Sequence, residues 1–161
     1  MRFQLSLEPS QTRVNVPPDV GSTSEFRTDL IRVHLFHGEV SQARDVSASL
    51  IKDGDRSALA LLLRVEALFA DIETAGVAER QTNSQEVERL CTEILDSEAS
   101  LSTSRTQRAL VSRSLARRIL GNIAGAQEDS ERAHSIRPDD ERALNEAAQA
   151  RIQAGDEAWG T

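Results

Sequence analysis

The sequence predicts an all-α array of about seven helices stacked in pairs, with a short extended or hairpin arm in front. Three observations carry this. Apolar residues recur at helical spacing from residue 22 to about 154, broken by short polar stretches. The segments "RALVSRSLARRILGN" and "RALNEAAQARIQAGD" can be written one above the other without a gap, placing Leu110 and Leu144, and Gly121 and Gly155, 34 residues apart. Only five residues are aromatic, none of them tyrosine. The core must therefore come from Leu, Ile, Val and Ala, which suits helices packed closely on small side chains.

Residues 1–23 form the arm. Phe3, Leu5 and Leu7 alternate with polar residues, as do Val14 and Val16, with "EPSQ" between them. Period-two alternation around a proline turn reads as a hairpin or as two extended segments. Such an arm pairs with itself, lies along the helical body, or offers a strand to a partner.

The helical domain spans 24–161. Ser22 and Glu25 have capping-box spacing and open a first helix in which Leu30, Val33 and His34 recur, ending at Gly38. A second helix is expected over 41–52, with Ala43, Val46, Leu50 and Ile51 inward. The third covers 56–74 and carries the apolar run "SALALLLRVEALFA". "AGVAERQTNS" reads as a looser connection, punctuated by Gly76 and Asn83. A fourth helix is expected over 85–97, with Val87, Leu90, Cys91, Ile94 and Leu95 on one stripe. Ser104 and Gln107 form a second capping box for a helix to about 120, followed by helices at 123–136 and 140–154.

"LGNIAGAQEDSERAHSIRPDD" shows what the 34-residue period is for. Gly121, Ala126, Ala133 and Pro138 are separated by five, seven and five residues. A glycine between helices, two alanines where backbones meet and a proline ending the second helix are what tightly stacked helix pairs require. On these residues 107–140 resemble a tetratricopeptide repeat. Arg117 and Ser130 stand where the family places aromatic rings. Gly38, Ala43 and Leu50 repeat the five and seven spacing, with Asp55 at the proline position. About ten extra residues around 75–84 displace the pattern of the middle repeat.

The resemblance covers about 24–161. It implies three helical pairs and a seventh helix in a right-handed superhelix. It also implies a cap, either the last helix with Trp159 over its end or further chain beyond it. A protein-interaction scaffold without catalysis of its own is the function it implies. Its rival is a regulatory or oligomerisation piece of a larger assembly.

Composition narrows the partner. A net charge of −7 disfavours a nucleic-acid footprint, and the lack of tyrosine removes much base-stacking chemistry. No run approaches the roughly 18 apolar residues of a membrane span, and "MRFQLSLEPS" lacks a signal peptide's apolar core. A reducing, cytoplasmic setting is expected. Lys52 is the only lysine against eighteen arginines, a bias expected of a GC-rich bacterial genome.

Catalytic constellations are missing from the sequence. No phosphate loop, G-x-S-x-G elbow or H-E-x-x-H pair occurs. Cys91 lies on an apolar stripe and reads as a small buried hydrophobe. His34, His37 and Glu39 in "HLFHGE" are the nearest approach to a metal-ligand set, and so to a small metal-dependent enzyme. Glu39, however, falls beyond Gly38, and His34 takes a position where the family buries a ring. No cofactor is expected.

In the resembled family the first helix of each pair lines a concave surface that holds a peptide or a partner helix. Here that face is expected to carry Arg32, Arg108, Ser112, Leu115, Arg118, Arg142, Asn145 and Gln149. Arginines on an acidic protein suggest a local basic patch, suited to another protein or to an acidic, carboxylate-bearing peptide. The same arginines are equally suited to pairing with carboxylates of adjacent helices, such as Glu66 and Glu146. The family's chaperone-tail binders use a clamp of lysine and asparagine. With Lys52 alone, at the end of a second helix, that clamp is absent.

Overall fold

The computed structural model describes residues 23–97 and 100–155, so the arm before Thr23 and the position of Trp159 lie outside the described residues. Seven helices fill the described residues: α1 Ser24–Phe36, α2 Val40–Lys52, α3 Ala58–Phe69, α4 Val77–Asp96, α5 Thr103–Ile119, α6 Ile123–Ile136 and α7 Glu141–Gln153. Each packs on the next in sequence. The odd-numbered helices also pack on one another in succession, α1 on α3, α3 on α5 and α5 on α7. They form the inner, continuous layer, and α2, α4 and α6 back it.

The turn glycines explain the tight pairing. Gly38, Gly121 and Gly155 have φ of 72°, 85° and 64°, left-handed conformations that end a helix and reverse the chain. At the α5–α6 turn the N–H of Gly121 donates to Arg118 and that of Asn122 to Arg117, satisfying carbonyls of the last turn. Ala126 and Ala133 are fully buried, as are Ala109, Ala116, Ala143 and Ala150. Six alanines without exposure let the axes of α5, α6 and α7 approach closely.

The core follows from α3. Seven of its residues are buried (Ala60, Leu61, Leu62, Leu63, Val65, Ala67 and Leu68), so it is apolar around most of its circumference. One side joins Ile31, Ala43 and Leu50 of the first pair. The other joins Val87, Leu90, Cys91 and Ile94 of α4 and Ala109 and Leu110 of α5.

Several boundaries differ from the sequence expectation, each for a local reason. Thr23 caps α1, its hydroxyl accepting from the Phe26 N–H at 3.2 Å, one residue after the expected Ser22. The buried face of α1 is Thr28 and Ile31, which leaves Val33 half exposed. The third helix ends at Phe69 rather than 74, and turns occupy 70–75. The expected loop at 77–84 is helical: α4 begins after Gly76, eight residues early. Asn83 does not interrupt the chain. It is buried in α4 and its Nδ2 donates to the Leu68 carbonyl at 3.2 Å, anchoring the extra turns to α3. Ser102 caps α5 through the Arg105 N–H at 3.3 Å, while Gln107, expected in a capping box, is buried and reaches the Ala133 carbonyl of α6 at 3.4 Å.

Arginine replaces aromatic packing between repeats. Arg117, at a ring position of the repeat, donates to Glu88 of α4 at 3.0 Å and to Asp129 of α6 at 2.9 Å. Its aliphatic stem and charged head bridge three helices where a ring would bridge two.

Candidate functional site

Two adjoining hollows lie along the inner layer. The larger, about 590 Å³, has an apolar floor of Leu35 from α1, Val65 and Phe69 from α3, and Val111 and Leu115 from α5. Ser112, Arg142 and Asn145 border it. The smaller, about 300 Å³, runs toward the N-terminal ends of α5 and α7 and is lined by Ser104, Arg108, Arg137, Asp140 and Arg142. Val65, Glu66, Val111, Ser112 and Arg142 line both hollows, which makes them one groove with an apolar and a cationic half.

The expected groove residues divide. Arg108, Ser112, Leu115, Arg142 and Asn145 line the hollows. Arg32 is exposed on α1 and pairs with Asp29 one turn earlier at 3.1 Å. Gln149 is exposed on α7 and lines neither hollow. Arg118 is elsewhere: its Nε and Nη2 each lie 3.1 Å from the carboxylate of Glu146, a side chain only 9 % exposed. It ties α5 to α7 and borders a separate hollow with Val77, Arg80 and Gln153. A helical period assigns a direction to a side chain, but α5 is packed by α4, α6 and α7 at once, so that direction meets a neighbouring helix.

Electrostatics concentrate at Arg108. It pairs with Glu66 of α3. Burial first, then the charges of Arg142 and Arg32, push its pKa below the ordinary arginine value. Guanidinium remains protonated at any physiological pH, so the shift reports partial burial first and crowding by like charge second. Arg142 and Arg137 make no ion pair among the described residues. Asp140 is engaged as the cap of α7, accepting from the Ala143 N–H at 3.0 Å. Sequence reasoning missed Arg137, which stands in the α6–α7 connection outside any helical stripe.

The other chemical candidates resolve locally. His34 Nδ1 donates to Glu39 Oε2 at 2.5 Å across the α1–α2 turn, and His37 stands edge-on to Phe36. Among the described residues no group of three His, Cys, Asp or Glu side chains gathers as a metal site. Cys91 is fully buried, and burial pushes its thiol up to about 12. No helix among the described residues is long and apolar enough to cross a membrane.

The path of the helices is shared with solved structures. The second TPR domain of human RPAP3, solved by NMR with an HSP70 peptide, SGPTIEEVD, superposes with a TM-score of 0.60. The match covers 78 % of this chain and 92 % of that one, at 20 % identity. The chain has a tetratricopeptide-repeat fold. The first TPR domain of human RPAP3 matches at a TM-score of 0.58 and 16 % identity, over 84 % of this chain and 94 % of that one. No family model matches the sequence. No curated protein matches it either. The two hollows described above lie along the first helices of the pairs in this fold.

Proposed function

We propose that the array is a protein-interaction scaffold whose concave groove takes a peptide bearing an acidic residue beside a bulky apolar one. The carrying observation is the juxtaposition of an apolar floor (Leu35, Val65, Phe69, Val111 and Leu115) with Arg108, Arg137 and Arg142. Arginine grips carboxylates in two-point fashion, and Arg142 is free to do so. The RPAP3 domain that holds an acidic peptide on the same fold supports the choice of occupant. Arg32, Ser112 and Asn145 are assigned supporting contacts, and Gln149 the rim. No lysine stands in the groove, so recognition here rests on guanidinium geometry.

Screening against an array of random nonapeptides tests this. The expected result is enrichment of peptides with Asp or Glu next to Leu, Ile or Phe, lost in an Arg108→Glu/Arg142→Glu variant that keeps its helical circular dichroism. Enrichment that survives both charge reversals overturns the reading. A role in oligomerisation is favoured by one observation, the exposure of Leu144 and Ile152 on α7. A concentration-independent monomer in light scattering removes that rival.

A further inference from the structure

Among the described residues Glu66 is the one carboxylate that lines both halves of the groove. Asp140 lines only the smaller half and is engaged as a helix cap. Glu146 lines only the larger half and is taken by Arg118. Glu66 instead holds Arg108, the most crowded of the groove arginines, and its side chain stays 37 % exposed. Nothing else among the described residues pairs with it in an ion pair. It is therefore placed where an incoming carboxylate would go, bound to the guanidinium that such a carboxylate needs, with solvent on its open side.

We infer that Glu66 is an internal competitor that sets which acidic peptides the groove admits, an inference resting on the groove reading above. An entering carboxylate takes Arg108, and Glu66 swings outward to water. A peptide with one acidic group takes Arg142 but leaves Glu66 seated on Arg108, so it gains little against the charge of Glu66 nearby. A peptide with two adjacent acidic groups engages Arg142 with the first and displaces Glu66 with the second. The groove thereby discriminates by acid count rather than by any single contact, a specificity that works partly through repulsion. Arg142 supplies the first contact because no ion pair among the described residues holds it.

Fluorescence anisotropy with three labelled synthetic peptides tests this: one carrying Leu-Glu-Glu-Leu, one carrying Leu-Glu-Gln-Leu and one carrying Leu-Gln-Gln-Leu. Wild type is expected to rank them in that order. Glu66→Gln, close in shape, is expected to tighten the one-acid peptide by about five- to tenfold and so to narrow its gap to the two-acid peptide. Asp45→Asn removes an equal charge from the exposed surface of α2, away from both hollows, and is expected to change each affinity less than about twofold. If Glu66→Gln leaves the gap between the one-acid and two-acid peptides unchanged, weakens the one-acid peptide, or acts no more strongly than Asp45→Asn, Glu66 is not a competitor. The groove reading survives that result when Arg142→Glu still abolishes binding. If no peptide binds either wild type or Glu66→Gln, the groove reading itself fails and this inference falls with it.

Discussion

Arg113 on α5 meets Asp129 on α6 through two contacts, Nε to Oδ2 at 2.8 Å and Nη2 to Oδ1 at 2.7 Å. Its remaining nitrogen, Nη1, donates to the Thr92 hydroxyl of α4 at 3.3 Å. One repeat earlier Arg64 of α3 does the same work, gripping Glu86 of α4 at 3.0 and 3.2 Å and the Ser47 hydroxyl of α2 at 3.3 Å. In both places an arginine on an inner helix binds its own outer helix and the preceding one. Successive pairs are thus held in register by directional bonds as well as by apolar burial.

Asp129 is 3 % exposed and shared by Arg113 and Arg117. Removing it leaves the largely buried Arg113 without a carboxylate and Arg117 with Glu88 alone. Asp129→Ala is expected to lower unfolding free energy by about 3–5 kcal/mol, read from urea denaturation. A triple change, Arg113→Met/Arg117→Leu/Asp129→Leu, is expected to lose less than Asp129→Ala alone. Equal losses would mean that the network is unimportant and that the volume of Asp129 is what counts.

Arg118 on α5 and Arg142 on α7 should separate stability from binding. Arg118→Ala strands the Glu146 carboxylate and is expected to cost roughly 2–4 kcal/mol. Arg142→Ala breaks no ion pair and is expected to shift stability by less than about 0.5 kcal/mol while lowering affinity for an acidic peptide. Thermal melts beside anisotropy check both at once.

The Cys91 thiol supplies a pH dependence. Its pKa rises from 9.0 in the unfolded reference to about 12 in the fold. Between these values the unfolded chain releases a proton that the native chain keeps, so native stability falls as pH rises from about 9 toward 12. Below pH 9 the thiol contributes no dependence. Cys91→Ala is expected to flatten the alkaline limb of a stability–pH curve, and iodoacetamide at pH 8 is expected to label Cys91 only on unfolding. Rapid labelling of the native protein would contradict its burial.

Turn glycines offer a test of backbone geometry alone. Gly121 has φ of 85° and open space around the site of an added Cβ, so Gly121→Ala costs only the left-handed conformation, about 1–2 kcal/mol. Gly76, at φ −64°, caps α4 without a side-chain hydrogen bond. Gly76→Ser is expected to add a few tenths of a kcal/mol. Differential scanning calorimetry of the two variants should move in opposite directions.

Much of this architecture was legible because spacing is dictated by sterics. Gly121, Ala126, Ala133 and Pro138 mark places where only a small side chain, a left-handed residue or a helix stop fits, and α6 spans 123–136 as expected. The first turns of α4 were not legible, because they are polar: Asn83 and Ser84 are buried without making an apolar stripe. Part of the arginine network was equally hidden. The partners of Arg113 and Arg117 on α4 and α6 gave no sign in the sequence, whereas pairing of the groove arginines with Glu66 and Glu146 was one of two expectations, and Arg108 and Arg118 make those pairs. In the groove, Arg108, Ser112, Leu115, Arg142 and Asn145 were readable from helical period, whereas Arg137 sits in a connection that has no period.

The buried alanines bear on how such a chain changes over time. At Ala109, Ala116, Ala126, Ala133, Ala143 and Ala150 a larger residue would push neighbouring helices apart. Exposed positions between them, such as Glu128, Glu131, Asn145 and Gln149, meet no such limit. Descent under these conditions erases letters faster than it bends the backbone. That accords with a helical path shared with a solved domain at 20 % identity.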